Sequence, residues 1–146
     1  MSTRRRWLAL LALAHLFAAV ADEDDAPKPQ RILKVREVGP FRFVGGGRSA
    51  AEIKELDELS PRFNVHLYFM REGNEDGVDE VMVRLRNMNR DVVLETRCLG
   101  SRLWLIALGG RFEVEAEFHG KVLRKTIEAT GRRYFPIVLD FAKATN

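Results

Sequence analysis

Residues 111–129 read Arg111-Phe112-Glu113-Val114-Glu115-Ala116-Glu117-Phe118-His119-Gly120-Lys121-Val122-Leu123-Arg124-Lys125-Thr126-Ile127-Glu128-Ala129. Their alternation decides the fold. Phe112, Val114, Ala116 and Phe118 take every second position, and Glu113, Glu115 and Glu117 fill the positions between. Side chains alternate across a strand, so a period of two sets one face on a core and the other in water. A tight turn at His119-Gly120 would oppose Phe118 with Lys121, Ala116 with Leu123 and Phe112 with Ile127 on the inner face. On the outer face the same register opposes Glu115 with Arg124 and Arg111 with Glu128. Opposite charges facing across a ladder favour such a register by ~0.2–1 kcal/mol each. Lys125 falls on the inner parity, and is expected at a sheet margin, its stem covered and its ammonium reaching out.

The period of two extends outward from this hairpin. Leu103-Trp104-Leu105-Ile106-Ala107-Leu108 is apolar on both parities, which predicts a central strand, and Gly109-Gly110 turns the chain after it. Residues 92–96 form a short β-branched run behind the turn Asn87-Met88-Asn89-Arg90. Val81, Val83 and Leu85 alternate with Met82, Arg84 and Arg86. Phe63, Val65, Leu67 and Phe69 alternate with Asn64, His66, Tyr68 and Met70. After Gly131 a last strand carries Phe135, Ile137, Leu139 and Phe141. About seven short strands, with turn signals every ~8–12 residues, predict an all-β immunoglobulin-like or transthyretin-like sandwich. No helix-length segment separates the later strands, which argues against a doubly wound α/β sheet.

One short helix is expected, over 49–59. Ser49 is its N-cap, Glu52 stands three residues on as in a capping box, and Ile53, Leu56 and Leu59 form a narrow apolar stripe. Ser60-Pro61 ends it. Before the helix, Pro40 breaks an apolar run into two extended pieces, and Gly45-Gly46-Gly47 stops regular structure. The organisation read from the chain is a signal peptide over 1–21 and a flexible leader over 22–31. An extended arm with a glycine-rich turn and the short helix follows over 32–61, and then a β-sandwich over 62–146.

The amino terminus sets the compartment. Arg4-Arg5-Arg6 precede an apolar run from Trp7 to Val20, which closes on Ala19-Val20-Ala21 and opens onto Asp22-Glu23-Asp24-Asp25. A positive start, an apolar stretch and a small-x-small end make a cleavable export signal, with cleavage after Ala21 and a periplasmic or secreted product. The run is shorter than the ~20 apolar residues of a membrane span, so no stable span is expected after cleavage. The chain carries 24 basic and 21 acidic residues, and its excess is Arg4, Arg5 and Arg6. The mature chain is thus charge-balanced, which removes the basic footprint that nucleic-acid binding needs. Cys98 stands alone and is expected as a buried, reduced thiol near a strand end; an intermolecular disulfide or a nucleophile is the alternative.

No catalytic, metal-binding or cofactor-binding set emerges. Gly45-Gly46-Gly47-Arg48-Ser49 before a helix could present free amides to an anion, but it lacks the Lys-Ser/Thr ending of a phosphate loop. His66 is expected on the less buried face of its strand and His119 in a turn. Two histidines and one cysteine fall short of a closed zinc set. Glu113, Glu115 and Glu117 are expected on a solvated face partnered by Arg111, Arg124 and Lys125, in preference to a glycosidase pair. Asn74-Glu75-Asp76-Gly77-Val78-Asp79-Glu80 lacks the ligand spacing of a calcium loop and is expected as an acidic surface loop.

The run 81–122, centred on Leu108-Gly109-Gly110-Arg111-Phe112-Glu113-Val114, resembles the carboxypeptidase regulatory-like domains, which are transthyretin-like sandwiches. Gly109-Gly110 stands where that family has a proline-glycine turn, and Phe112 where it has tyrosine. Phe43-Val44-Gly45-Gly46-Gly47, a short acidic helix, and Phe63-Asn64-Val65-His66-Leu67-Tyr68-Phe69 are similar to a bacterial exported group of such domains. The resemblance spans about residues 41–141, and implies a periplasmic protein whose domain carries no catalytic residues of its own.

These readings converge on a non-enzymatic exported module for protein interaction or scaffolding. Its partner would be an envelope protein, met through a sheet edge or an apolar patch holding Tyr68, Met70 or Trp104. The alternatives are a small-ligand or glycan-binding domain, with Trp104 or Tyr68 stacking on a sugar, and a hydrolase using His66 or His119 with nearby acids.

Overall fold

The structure is a computed structural model and describes residues 30–129 and 135–143. The export signal expected over 1–21 lies outside the described residues. So does the leader expected over 22–31, except for Gln30 and Arg31, which are exposed.

The chain forms an all-β sandwich. Its elements are β1 (Arg36–Val38), β2 (Phe41–Gly46), helix α1 (Ala50–Leu59), a 3-10 turn (Ser60–Arg62), β3 (Val65–Met70), β4 (Val81–Arg86) and β5 (Val92–Cys98). There follow β6 (Arg102–Ile106), β7 (Gly110–Phe118), β8 (Lys121–Ala129), β9 (Phe135–Asp140) and a 3-10 turn (Phe141–Lys143). One sheet has the order β1-β2-β6-β3-β9, the other β5-β4-β7-β8. The described residues therefore hold nine strands rather than seven. The excess is β1 and β2, supplied by the segment read as an arm: Gly39, with φ 55, and Pro40 reverse the chain, and β2 pairs antiparallel with β6 from Arg42↔Ile106 to Gly46↔Arg102.

The β7–β8 hairpin has the register that its charges and apolar residues specify. Phe112 faces Ile127, Ala116 faces Leu123, Glu115 faces Arg124 and Arg111 faces Glu128. His119 and Gly120 both take positive φ, 49 and 77. This is the type I′ geometry whose twist matches that of the flanking strands. Lys125 lies opposite Val114, and its Nζ donates to the Val138 carbonyl at 2.7 Å. The ammonium thus crosses the margin between the sheets and ends on β9.

Two cores hold the domain. Between the sheets, Phe43, Leu67, Phe69, Leu105 and Leu139 pack against Val83, Leu85, Val114, Phe118 and Ile127. Burying each such side chain contributes about 1.5–3 kcal/mol. The second core lies on the outer face of the first sheet, where α1 presents Leu56 and Leu59 to Val44, Phe63 and Trp104. The helix starts as its sequence directs, with Ser49 Oγ accepting from the Glu52 N–H at 3.2 Å.

This second core corrects two expectations. His66 and Trp104 are each 1% exposed. Their positions on β3 and β6 face α1 rather than water, so β3, read with a less buried face, is covered on both, and Trp104 is closed off from any surface patch. His66 Nε2 lies 3.0 Å from both the Ser60 and Phe63 carbonyls. Carbonyls only accept, so Nε2 carries the proton and ties down the 3-10 turn that leads into β3. The imidazole stacks on Trp104, with ring centroids 4.2 Å apart. Burial lowers the His66 pKa below its ordinary value, against the opposing pull of the Phe63 and Ser60 carbonyls.

Candidate functional site

Among the described residues the sandwich has four edge strands, and they are not alike. Unpaired N–H and C=O groups on an edge invite another strand, and shortness, lysine and proline are the usual guards. β1 has three residues. β8 carries Lys121, Arg124 and the inward Lys125. β9 contains Pro136, and its Val138 carbonyl is occupied by Lys125. β5, Val-Val-Leu-Glu-Thr-Arg-Cys, has seven residues with neither lysine nor proline. Among the described residues its ladder partner is β4 alone. A register shift between Leu85 and Arg86 bulges β5 near Val93, so that the regular stretch is 94–98. Val92, at one end of the strand, and Leu99, just past the other, are each 44% exposed.

The outer face of this sheet is a ladder of alternating charge. Arg124 on β8 faces Glu115 on β7, Glu115 faces Arg84 on β4, and Arg84 faces Glu95 on β5. The contacts follow the register: Arg124 Nε to Glu115 at 3.0 Å, Arg84 Nη1 to Glu115 at 3.2 Å, and Arg84 Nε to Glu95 at 3.0 Å. Arg86 adds a contact to Glu115 at 3.6 Å. The expectation of a solvated glutamate face therefore fails at its centre, because Glu115 is only 6% exposed beneath these guanidiniums. Burial opposes its ionisation, yet Arg124, Arg86 and Arg84 outweigh that penalty and hold the carboxyl below its ordinary pKa. Of the expected partners, Arg124 reaches Glu115, Arg111 pairs with Glu128, and Lys125 turns away to β9. Arg84 and Arg86, three strands upstream on β4, supply the remaining cations.

Beside the β5 edge, a cleft of about 260 Å3 opens between the two sheets, rimmed by Lys34, Arg36, Arg48 and Arg97. The carboxylate that faces it, Glu52, is already engaged. Its Oε2 accepts from the Gly47 N–H at 3.0 Å and the Arg48 N–H at 2.8 Å. The helix-start amides that the glycine run offers to an anion are thus filled by the chain's own side chain. The cleft wall includes Cys98, which is a free, buried thiol. Burial pushes this thiol up to about 12, Gly46 opposing and Glu52 adding to the shift. Its Sγ donates to the Arg102 carbonyl at 3.2 Å. A thiol so protonated is a packing group rather than a nucleophile.

The aromatic patch anticipated at Tyr68, Met70 and Trp104 is divided by the fold. Trp104 is closed off by α1, and its Nε1 donates to the Leu56 carbonyl at 2.7 Å. Tyr68 and Met70 are half-buried on the same face of β3. The Tyr68 ring meets Trp104 edge-on, with the Arg102 guanidinium 5.3 Å from its centroid. Arg102 is in turn gripped by Glu75, Nε to Oε1 at 2.8 Å and Nη2 to Oε2 at 3.0 Å. The acidic loop 74–80 therefore spends a carboxylate on the sheet. Among the described residues no group of three or more His, Cys, Asp or Glu is placed to hold a metal ion. No helix of the described residues is long and apolar enough to cross a membrane. His66 and His119 belong to different sheets, the first behind α1 and the second in the β7–β8 turn with its ring on Phe118.

Comparison with protein-family models, with curated proteins and with solved structures gave no match to this chain.

Proposed function

We propose that this chain is an exported, non-catalytic interaction module whose contact surface is the β5 edge and the cleft beside it. The observation that carries this reading is the difference between the edges: three are guarded by shortness, lysine or proline, and β5 is a seven-residue strand with neither lysine nor proline, bulged at Val93 and regular over 94–98. A strand added there gains main-chain hydrogen bonds, with side-chain recognition supplied along the rim. Lys34, Arg36, Arg48 and Arg97 favour a partner that brings carboxylates. The export half of the reading rests on residues 1–21, with their arginines, apolar run and small-x-small end. The motif resemblance to carboxypeptidase regulatory-like domains, accessory modules without catalytic residues, points the same way.

The test places a photo-crosslinking phenylalanine analogue at Val92, beside the edge, or at Glu58, on the exposed side of α1. After irradiation of cells, the chain should appear in the osmotically released fraction at the mass left by removal of residues 1–21. It should carry reproducible adducts from position 92 and not from position 58. Retention in the cytoplasm at full length overturns export, and equal labelling from both positions overturns the edge.

A further inference from the structure

We propose that a partner of the β5 edge is a second copy of this chain, paired antiparallel about a twofold axis beside Thr96. The proposal rests on the interaction reading above and names its partner. A twofold contact places the same patch on both copies, so the patch must complement itself. Antiparallel partners directly opposite each other share a face, so the two strands align only in registers centred on a residue. The regular stretch 94–98 leaves three such centres. A dyad at Glu95 sets Glu95 against its own copy, and a dyad at Arg97 does the same with two guanidiniums. A dyad at Thr96, the midpoint of that stretch, sets Glu95 against Arg97 of the partner subunit, and the twofold axis repeats the pair.

The ladder behind the edge calls for the same register. Reading across the outer face, Arg124, Glu115, Arg84 and Glu95 alternate in sign and end on an acid at the open side. The next position in that row, filled by Arg97 of the partner subunit, extends the alternation across the junction. Among the described residues Glu95 and Arg97 each pair with one opposite charge, Arg84 at 3.0 Å and Glu80 at 2.8 Å. Their side chains are otherwise half-open to solvent, at 53% and 63% exposure. The carboxylate of Glu95 of the partner subunit reaches the cationic rim of the cleft through Arg97. Like charges directly opposite are destabilising, so the two repulsive registers are selected against.

The test is a charge exchange read by sedimentation. The purified wild-type chain should show a concentration-dependent monomer–dimer equilibrium that weakens with added salt. Glu95→Arg and Arg97→Glu should each weaken self-association by about tenfold or more, since each sets like charges across the dyad twice. Mixed in equal amounts, the two variants should recover a dimer as tight as the wild type, because both cross pairs are then attractive. Each variant's unfolding midpoint is measured alongside, so that a loss of fold is not read as a loss of contact. A mixture that stays monomeric, or an Arg97→Glu chain as dimeric as the wild type, overturns the dimer. A wild-type chain that is monomeric at about 1 mM, a concentration that exposes even weak self-association, overturns it too. If position 92 still captures another envelope protein in that case, the edge reading stands without the dimer. If it captures nothing, both fall.

Discussion

The indole N–H of Trp104 points at the Leu56 carbonyl from 2.7 Å, so one hydrogen bond ties the middle strand of the first sheet to α1. Leu56 is fully buried against the same ring. Trp104→Phe leaves that carbonyl without its donor and opens space beneath the helix. It should cost about 1–3 kcal/mol, and Trp104→Ala about 3–5 kcal/mol. The measurement is the urea midpoint at unchanged slope. A Phe variant as stable as the wild type would mean that the helix is held by its leucines alone.

Glu115 should make the second sheet acid-sensitive. Its carboxyl is held below the ordinary value in the fold, while the unfolded chain titrates near ~4.3. The stability it contributes is present above the unfolded value and is lost as pH falls through the folded one. Glu115→Gln keeps the shape and removes the charge, and should cost about 1–2 kcal/mol at neutral pH, less than a fully buried pair because Arg124 is largely exposed. The difference between wild type and variant should shrink as pH falls from the unfolded value of about 4.3 through the lower folded one. A difference that stays constant over that range would show that charge is not what Glu115 supplies.

His66 should add a separate loss at milder pH. Burial lowers its pKa, so the fold prefers the neutral ring. Stability from this group is complete above the unfolded value of about 6.5 and declines as pH falls from there toward the folded value. Melting temperature should therefore fall from about pH 6.5 downward, and His66→Gln should flatten that slope. If the slope survives the substitution, the proton enters elsewhere.

Two glycines should respond very differently to one methyl group. Gly100 has φ 137, and a Cβ there would sit 2.2 Å from the Gly46 carbonyl oxygen, where the chain crosses from β5 to β6 against β2. Gly77 has φ 78 and nothing within 4 Å of the same atom. Gly100→Ala should cost more than about 3 kcal/mol or prevent folding, and Gly77→Ala about 1 kcal/mol, the strain of its backbone alone. Equal costs, read by thermal unfolding, would mean that the crossover can shift to make room.

The legible parts of the fold were those where a local pattern has a single solution. The β7–β8 register follows from opposed charges, alternating apolar residues and a turn that needs positive φ at His119 and Gly120. The central place of β6 follows from its apolar residues on both parities. The burial of His66 was hidden, because β3 alternates Val, Leu and Phe with His, Tyr and Met, a pattern that fits one wet face. What covers that face is α1, whose leucines belong to a separate element, and strand periodicity carries no record of it. The signal that could have helped is the absence of any charge from Val65–Met70. Arg84 and Arg86 as partners of Glu115 were hidden for a related reason: β4 lies next to β7 in space but is separated from it in the chain by β5 and β6. The open edge is likewise a property of sheet order, which only the assembled fold reveals.

The parallel ladder of β3 and β9 has a consequence for timing. β3 sits between β6 and β9, and its partners there, from Phe135 to Asp140, are synthesised after every other strand described. Contacts so distant in the chain form late, because their closure entropy must be met first. Until β9 arrives, one flank of Val65–Met70 has nothing to pair with, and Leu139 and Phe141 are missing from the core. A ribosome-bound chain is therefore an unfinished sandwich until its closing strand has emerged. Until that strand arrives, the order of the sheet leaves the flank of β3 as the place where a nascent chain is open to other strands.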